Sequence, residues 1–435
     1  MPFELPVEPS VVQLTTIVLL LCSLVAIWLL MAAPIGRRTV RLSRVVDARP
    51  ETVARLLEPA RLAQWNDDLT AARALDNPDR DDARLVELTY KAAGRKGEPI
   101  RRTVRATALP DAAGQVFGEE RSVVDDTVLA QSFWQHFSER RIISREAGGQ
   151  ARITFEQSDR YRGFGGLLFR RRWMQRELER LSAAAENREP KSMGHFGHPA
   201  VQVGLAILST LMLWPFFGRN ASGLMLSTIL TLVIVLHELG HMAAYRAFGH
   251  EKVRMLFLPI LGGVAIGGRP YDSRFEAAAC ALMGPGLSAF FVPILISAIR
   301  TGGFGLSSAT THVLAIALLI LGAFNLLNLL PMSRFDGGQV LRQLCPNRPT
   351  LLLGSLAASA LIVATGWHIG VPPIALIASL AVFTLLSLIG GQSFSTRLVL
   401  EDITLSQRVM IGLGLYGTIA LHALAVSVAC DLLLI

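Results

Sequence analysis

Residues 231–245 read TLVIVLHELGHMAAY, and they place His237, Glu238 and His241 inside a run that is otherwise apolar. On an α-helix, side chains four residues apart lie on one face, so His237 and His241 can bind a single metal ion together. Glu238 lies one position further round the helix, where it can take a proton from a water molecule at the metal. Ionisable groups are costly at membrane depth and are usually functional there. The stretch therefore predicts a zinc site on a membrane helix, rather than a chance match between two buried histidines.

The composition indicates an integral membrane protein with one soluble insertion. Of the 435 residues, 51% are hydrophobic, and several apolar runs are long enough to cross a bilayer. Charged residues are concentrated between Arg37 and Lys191, and the net charge of +8 comes mainly from arginines there and in loops. No nucleic-acid-binding motif accompanies this charge, so we expect contact with membrane lipid and no nucleic acid partner. The four cysteines form no CxxC pair, which favours apolar packing over disulfides or metal binding: Cys22, Cys280, Cys345 and Cys430.

The apolar runs predict about eight membrane-crossing helices. The first run, Val11 to Ala33, follows an acidic start and precedes several arginines, so it is predicted to be a retained anchor whose cytoplasmic end is basic. Arg246, Lys252 and Arg254 follow the HELGH helix and place its end on the cytoplasmic side, with both chain termini outside. The other runs lie at 199–217, 223–246, 275–299, 311–331, 350–366, 372–390 and 409–434.

The region from about 38 to 188 predicts a soluble α+β domain. Residues 39–46 alternate as a half-buried strand does, and the last element is a helix from Gly166 to Glu186. Further strand-like stretches lie near Leu85–Tyr90, Ile100–Ala108, Gln115–Glu120, Thr127–Phe137 and Ala151–Gln157. This order, with VDARPETVARLLEPARLAQWND at 46–67, resembles the START-like (SRPBCC) helix-grip superfamily. The resemblance implies a curved antiparallel sheet that grips the last helix around an apolar cavity, and hence an apolar ligand. A generic α+β regulatory domain without a cavity is the alternative.

A third metal ligand is predicted in residues 324–340, which read FNLLNLLPMSRFDGGQV. Catalytic zinc usually has three protein ligands and one open position. Asp336 follows an apolar helix, in a segment that a proline breaks and glycines flank, so its carboxylate can turn inward. Taken alone, Asp-Gly-Gly is typical of a turn or a helix cap. Together with the HELGH helix, it supplies the missing ligand.

Both motifs resemble those of the site-2 protease family of intramembrane zinc metalloproteases. The matching residues are HELGH at 237–241 and NLLPMSRFDGG at 328–338, with Met283-Gly284-Pro285-Gly286 and Gly262-Gly263 also fitting. Over roughly 199–345 the resemblance implies one zinc ion per chain, bound by His237, His241 and Asp336, and Glu238 as general base. It implies that Asn328 helps to hold the substrate strand. The chain departs from the family pattern in two places. Ser333-Arg334-Phe335 stands where members often have a second proline, and Ser288 stands where many have asparagine; both differences concern substrate positioning.

This resemblance implies that the substrates are transmembrane proteins. The protein itself is predicted to lie in a bacterial cytoplasmic (inner) membrane. A substrate must be extended where it is cut, and added strand pairing would replace its helical hydrogen bonds. The segment 256–268, which includes Gly262 and Gly263, is the candidate edge strand, an ordinary re-entrant loop being the alternative. The rival function is a membrane-anchored lipid- or ligand-binding protein with a catalytically idle zinc core. Metal transport would need polar residues along several helices, which the sequence lacks.

The predicted fold class is a multi-pass α-helical membrane protein with an inserted cytoplasmic START-like domain. Its predicted parts are an N-terminal transmembrane anchor (1–36), the START-like domain (37–188), a linker (189–198), a site-2-protease-like core (199–345) and C-terminal transmembrane helices (346–435). His195 and His198 lie on the glycine-rich linker, where solvated side chains are the usual outcome.

Overall fold

The structure is a computed structural model of the chain. It describes residues 25, 28–29, 33–76, 83–110, 114–191, 198–258, 262–301, 307–332, 334–345, 347–374, 376–377 and 399–434. The chain divides into two compact units, of which one comprises 24–194 with 391–399, and the other comprises 1–23, 195–390 and 400–435. We call them the sheet unit and the helical unit.

The sheet unit is one seven-stranded sheet in which every neighbouring pair of strands is antiparallel, in the order β1-β7-β6-β5-β4-β3-β2. Two short helices connect the first two strands, and a long helix follows the last. The strands are β1 (Pro34–Val46), β2 (Leu69–Leu75), β3 (Ala83–Ala93), β4 (Pro99–Ala108), β5 (Gln115–Asp126), β6 (Ser138–Arg145) and β7 (Ala151–Arg162). The helices are α1 (Pro50–Leu56), α2 (Pro59–Trp65), α3 (Gln131–Trp134) and α4 (Phe164–Ala185). The predicted arrangement, an antiparallel sheet with the last helix packed on it, is confirmed.

Period-two alternation explains the packing of this sheet. In β7, for example, Ile153 and Phe155 are buried and pack with Met174, Leu178 and Leu181 of α4 in one hydrophobic core. Both short helices begin with proline at their first position, where the missing N–H costs nothing. The contacts of Met174, Leu178 and Leu181 with β7 fix the second half of α4 on the sheet.

Charged side chains are also buried between the sheet and α4. Arg141 of β6 donates to Glu177 of α4 at 2.6 Å, and it also pairs with Glu139, which accepts from Gln157. Arg121 pairs with Glu119 in the same interior. Burial raises the pKa of Glu177, although Arg141 opposes this shift. The described interior therefore combines an apolar core with an ion network, and the apolar ligand stays a prediction.

One strand prediction in this unit is wrong. Residues 127–137 form a turn and the short helix α3, and the next strand begins only at Ser138. Asp126 explains the difference, because its carboxylate accepts from the N–H groups of Val128 and Leu129 and turns the chain out of the sheet.

The helical unit contains six helices that are long and apolar enough to cross a membrane, among the residues described. They are α5 (Pro199–Leu213, which a 3-10 turn continues to Phe216), α6 (Ala221–Ala247), α7 (Arg274–Thr301), α8 (Ser308–Asn328), α10 (Arg348–His368) and α11 (Leu405–Leu434). A shorter helix, α9 (Asp336–Leu344), follows α8. Six of the eight predicted crossings are thus confirmed as apolar helices. The other two, 11–33 and 372–390, lie mostly outside the described residues, as do Cys22, His195 and Ser333. The protein is a membrane protein by this measure.

Between α6 and α7 the chain forms a β-hairpin, β8 (Arg254–Leu258) and β9 (Gly262–Ile266), in which the two strands pair antiparallel. The segment predicted as an edge is therefore a two-stranded sheet, with its turn residues 259–261 outside the described part. Gln202 of α5 accepts a hydrogen bond from the N–H of Phe257, so the outer side of β8 is tied to a helix.

A buried polar cluster fixes the chain that leaves β9. His250 lies 2.7 Å from Glu276 through Nε2, and its Nδ1 accepts from the N–H of Gly268 at 3.1 Å. Arg269 completes the cluster with an ion pair to Glu276 at 3.0 Å and a hydrogen bond to the carbonyl of Phe248. The hairpin is therefore held at its exit by the ends of both α6 and α7.

Candidate metal centre

Helix α6 carries the two histidines and the glutamate of the HELGH stretch, and all three are partly or fully buried. Asn220 is the N-cap of this helix, and its side-chain oxygen accepts a hydrogen bond from the N–H of Gly223 at 2.8 Å. One turn separates His237 from His241, and their Nε2 atoms lie 3.1 Å apart. The predicted pairing of these two side chains is therefore present.

Hydrogen bonds fix both imidazole tautomers. The Nδ1 atom of His241 lies 2.7 Å from the carbonyl oxygen of Cys280, which can only accept. The Nδ1 atom of His237 lies 2.8 Å from Asn325 Oδ1, and the amide nitrogen of Asn325 donates to the carbonyl of Leu321. Both neutral rings consequently carry their proton on Nδ1 and direct the lone pair of Nε2 towards each other.

Asp336, the first residue of α9, completes the group. Its Oδ2 lies 3.0 Å from His237 Nε2 and 3.5 Å from His241 Nε2. The two glycines that follow it allow this placement, since a Cβ on Gly337 would lie 2.0 Å from the carbonyl oxygen of Leu329, and one on Gly338 1.9 Å from that of Met332. Only glycine lets the start of α9 pack this closely on the chain behind it.

These three atoms fit a bound divalent cation. Two imidazole lone pairs and a carboxylate oxygen converge within 4.8 Å with no proton donor among them, which is unfavourable unless a cation lies between them. Zinc bonds to nitrogen and oxygen of about 2.0–2.2 Å in a tetrahedral site put neighbouring ligand atoms about 3.3 Å apart. The observed spacings of 3.0, 3.1 and 3.5 Å lie around this value.

Glycines in α6 and α7 let the two helices meet at the metal group. A Cβ on Gly240 would lie 2.0 Å from the carbonyl oxygen of Met283. One on Gly284 would lie 2.3 Å from His241 Nε2 and 2.8 Å from His237 Nε2. Since real Cβ contacts are not this short, the backbone of α7 forms one wall of the site, and a side chain there would fill the position of the ion.

Glu238 lies against the hairpin. A Cβ on Gly263 would be 2.3 Å from Glu238 Cγ, so the backbone of β9 passes directly over the carboxylate, which also interacts with the backbone of Ala265. Gly262 adopts a φ of +96°, a conformation that side-chain-bearing residues avoid. Of the two glycines predicted to contact substrate, Gly263 lies against Glu238, the predicted general base, and Gly262 is the residue before it, next to Ile234.

Asn328 is placed differently from the three ligands. It is the last residue of α8, half-buried, and its side-chain amide donates to the carbonyl of Phe324 at 3.1 Å. Its predicted role towards a substrate stays a prediction. His198, in turn, caps α5 by accepting from the N–H of Ala200 at 3.2 Å.

Sequence reasoning missed two polar residues near this site. Asn325 is fully buried and orients His237. The sequence feature that could have indicated this role is an amide side chain in an apolar helix, about one turn before Asn328. His422 of α11 is also fully buried, and its Nε2 lies 3.0 Å from the carbonyl oxygen of Pro285, next to the Gly284 wall. A lone histidine in the last apolar run was the available signal, since such groups are costly in a membrane.

Comparison with known proteins finds a zinc metalloprotease that is similar to part of this chain. Over 149 residues the chain is 31% identical to the zinc metalloprotease MJ0392 of Methanocaldococcus jannaschii. The match covers 33% of this chain and 38% of that protein, so the chain spans little more than a third of the relative's length. No family model matches the sequence. The chain is thus a distant homologue of a zinc metalloprotease over part of its length.

Solved structures similar to this chain match about a third of it. They include a START superfamily protein from Mycobacterium smegmatis (15% identity, 34% of this chain, 94% of that one, TM-score 0.25) and protein CV1439 from Chromobacterium violaceum (22%, 34%, 97%, TM-score 0.24). A third is Ara h 8.0201 (12%, 35%, 97%, TM-score 0.27). The fold of the sheet unit is evident from its own strand order and does not depend on these scores.

Proposed function

We propose that this protein is an intramembrane zinc metalloprotease of the site-2 type, which cleaves transmembrane segments of other membrane proteins. The observation that carries the proposal is the convergence of the Asp336 carboxylate on two Nε2 lone pairs of an apolar helix, with Glu238 on the same helix under a β-hairpin. The distant zinc metalloprotease relative supports the same chemistry.

His237, His241 and Asp336 are the residues that would hold zinc. When bound there, zinc supplies a Lewis acid that polarises a peptide carbonyl and lowers the pKa of a water molecule. Asn325 and the Cys280 carbonyl keep the Nε2 lone pairs directed inward by holding the Nδ1 protons. Glu238 takes the proton of the attacking water and hands it to the leaving amine nitrogen.

The hairpin would position the substrate. Gln202 binds the outer side of β8, and β9 is the strand that faces Glu238. An extended substrate segment that pairs with β9 would regain the backbone hydrogen bonds that it gives up when its own helix opens. Gly263 has no side chain to keep such a segment away from Glu238.

The proposal is tested with Glu238→Gln, which keeps the size of the side chain and removes the base. We expect zinc content near one per chain, with cleavage of reconstituted single-pass membrane substrates reduced by a factor of about 10² or more. Glu251→Gln, at an exposed position just beyond α6, is the matched control and should cleave normally. Substrates themselves are found by comparing membrane proteomes of cells with wild-type protein and with Glu238→Gln. Normal cleavage by Glu238→Gln would show that the base is elsewhere.

A further inference from the structure

The sheet unit has exposed apolar side chains concentrated at one edge. Between residues 34 and 191, five large hydrophobic side chains are exposed among those described, and three of them lie in the first two turns of α4: Phe164, Leu168 and Phe169. Phe169 is 74% exposed, the highest value of the five. Soluble surfaces rarely gather large apolar groups in this way unless something covers them.

The first apolar run of the chain ends at the same edge. The N–H of Gly163, which precedes α4, donates to the carbonyl of Ala33 at 2.9 Å, and the N–H of Ala33 donates to the carbonyl of Trp28. Trp28 and Leu29 are helical and exposed too. The last residues of a run suited to a bilayer are thus hydrogen-bonded to the point where Phe164 begins α4.

Exposed arginines lie on the strand ends and the helical turn next to these apolar groups. In the strand register, Arg37 on β1 lies opposite Arg160 on β7, and Pro34 lies opposite Arg162. The strand ends next to Gly163 are therefore basic. Six exposed arginines lie along these strand ends and on the first nine residues of α4. We call them, together with the three apolar residues, the basic edge: Arg37, Arg38, Arg160, Arg162, Arg171, Arg172, Phe164, Leu168 and Phe169. The acidic group among them, Asp159, is ion-paired with Arg170 at 3.6 Å.

We propose that the basic edge rests on an anionic lipid surface. Phe164, Leu168 and Phe169 enter the headgroup region, and the arginines bind lipid phosphates. Two independent signals of this kind, apolar insertion and a basic patch, are what stable attachment of a soluble domain requires. Each arginine close to an anionic leaflet strengthens attachment about fivefold. The hydrogen bond between Ala33, at the end of the first apolar run, and Gly163 favours a lipid surface over a protein partner, because a membrane run ends where the basic edge begins.

The test measures side-chain exposure in the full-length protein reconstituted in lipid nanodiscs. Hydroxyl-radical footprinting with mass spectrometry reports the oxidation rate of each apolar side chain in neutral discs and in discs that contain phosphatidylglycerol. We expect oxidation of Phe164, Leu168 and Phe169 to fall severalfold in the anionic discs at low salt. Val124, exposed on β5, should oxidise equally in both lipids.

A charge-reversal variant separates lipid binding from coverage of the basic edge by protein. Arg171→Glu with Arg172→Glu should weaken the attachment about 25-fold or more and restore rapid oxidation in anionic discs. Arg55→Glu with Arg61→Glu, two exposed arginines on α1 and α2, is the matched control and should keep the protection. Equal oxidation in both lipids overturns the proposal. Protection that is independent of lipid charge and survives the reversal overturns it as well, because the edge is then covered by protein.

Discussion

Substituting Gly284 with alanine tests the geometry of the metal centre, because it adds one methyl group to the wall of the site. The new Cβ would lie 2.3 Å from His241 Nε2 and 2.8 Å from His237 Nε2. Ordinary contacts begin near 3.4 Å, so the imidazole of His241 must retreat by about 1 Å. Loss of a zinc ligand's outer-shell partner typically costs about 10- to 100-fold in metal affinity, and we expect displacement of the ligand itself to cost at least as much. A misplacement of this size also costs about 10²-fold in rate.

Gly286→Ala is the matched control for this variant. It lies on the same helix two residues away, and its Cβ would meet only Met283 Sδ at 3.6 Å, an ordinary contact. Alanine favours a helix over glycine by about 1 kcal/mol, so helix propensity cannot explain a loss in either variant. Zinc affinity is measured by competition with a chromogenic chelator in detergent, and cleavage with a reconstituted substrate. If Gly284→Ala binds zinc as tightly as Gly286→Ala and cleaves at the same rate, the backbone of α7 does not form a wall of the metal site.

Three further outcomes are expected. Asn325→Ala leaves His237 Nδ1 without its acceptor, so zinc affinity in the chelator assay should fall about 10- to 100-fold; Asn328→Ala, about one turn later, should leave it unchanged. His422→Leu removes the donor to the Pro285 carbonyl and should destabilise the protein by about 1–3 kcal/mol, measured by thermal unfolding, whereas His422→Gln, which keeps a donor, should recover most of this loss. In the sheet unit, burial alone would raise the pKa of Glu179, but hydrogen bonds from Arg188 and Arg44 hold it at about 2. A carboxylate whose pKa is lower in the folded than in the unfolded protein stabilises the fold at pH values above its unfolded pKa of 4.5, and this stabilisation is lost as the pH falls towards about 2. Glu179→Gln should therefore make the free energy of unfolding depend less on pH between about 4.5 and about 2.

The metal group was predictable because its signals are local. The spacing of His237 and His241 places both on one helix face whatever surrounds them, and Asp336 stands out as an acid at the end of an apolar run. Asn325 and His422 were not assigned, since their roles depend on which helices become neighbours. A contact between α8 and α6, or between α11 and α7, has no counterpart in the local sequence.

In the sheet unit, local sequence predicted the final helix but not the turn after Asp126 or the buried contacts. Its final helix was predicted within two residues of its observed bounds, because a long run of helix-forming residues ends the domain. The strand after Asp126 was predicted wrongly. The aromatic and β-branched residues of 127–137 favour a strand, but two backbone N–H groups donate to the Asp126 carboxylate and impose a turn. The buried ion network was not anticipated either, as alternation along a strand shows which residues point inward but not that Arg141 finds Glu177 on α4.

The position of Asp336 along the chain has a consequence for biosynthesis. His237 and His241 leave the ribosome first, and two complete apolar helices, α7 and α8, must follow before Asp336 is made. The carboxylate then reaches the histidines only when Gly337 and Gly338 pack against the residues behind them. Until Asp336 is made, the ligand set is therefore incomplete. For the proposed protease, this order means that α7 and α8 enter the membrane before the ligand set that would cut them is complete.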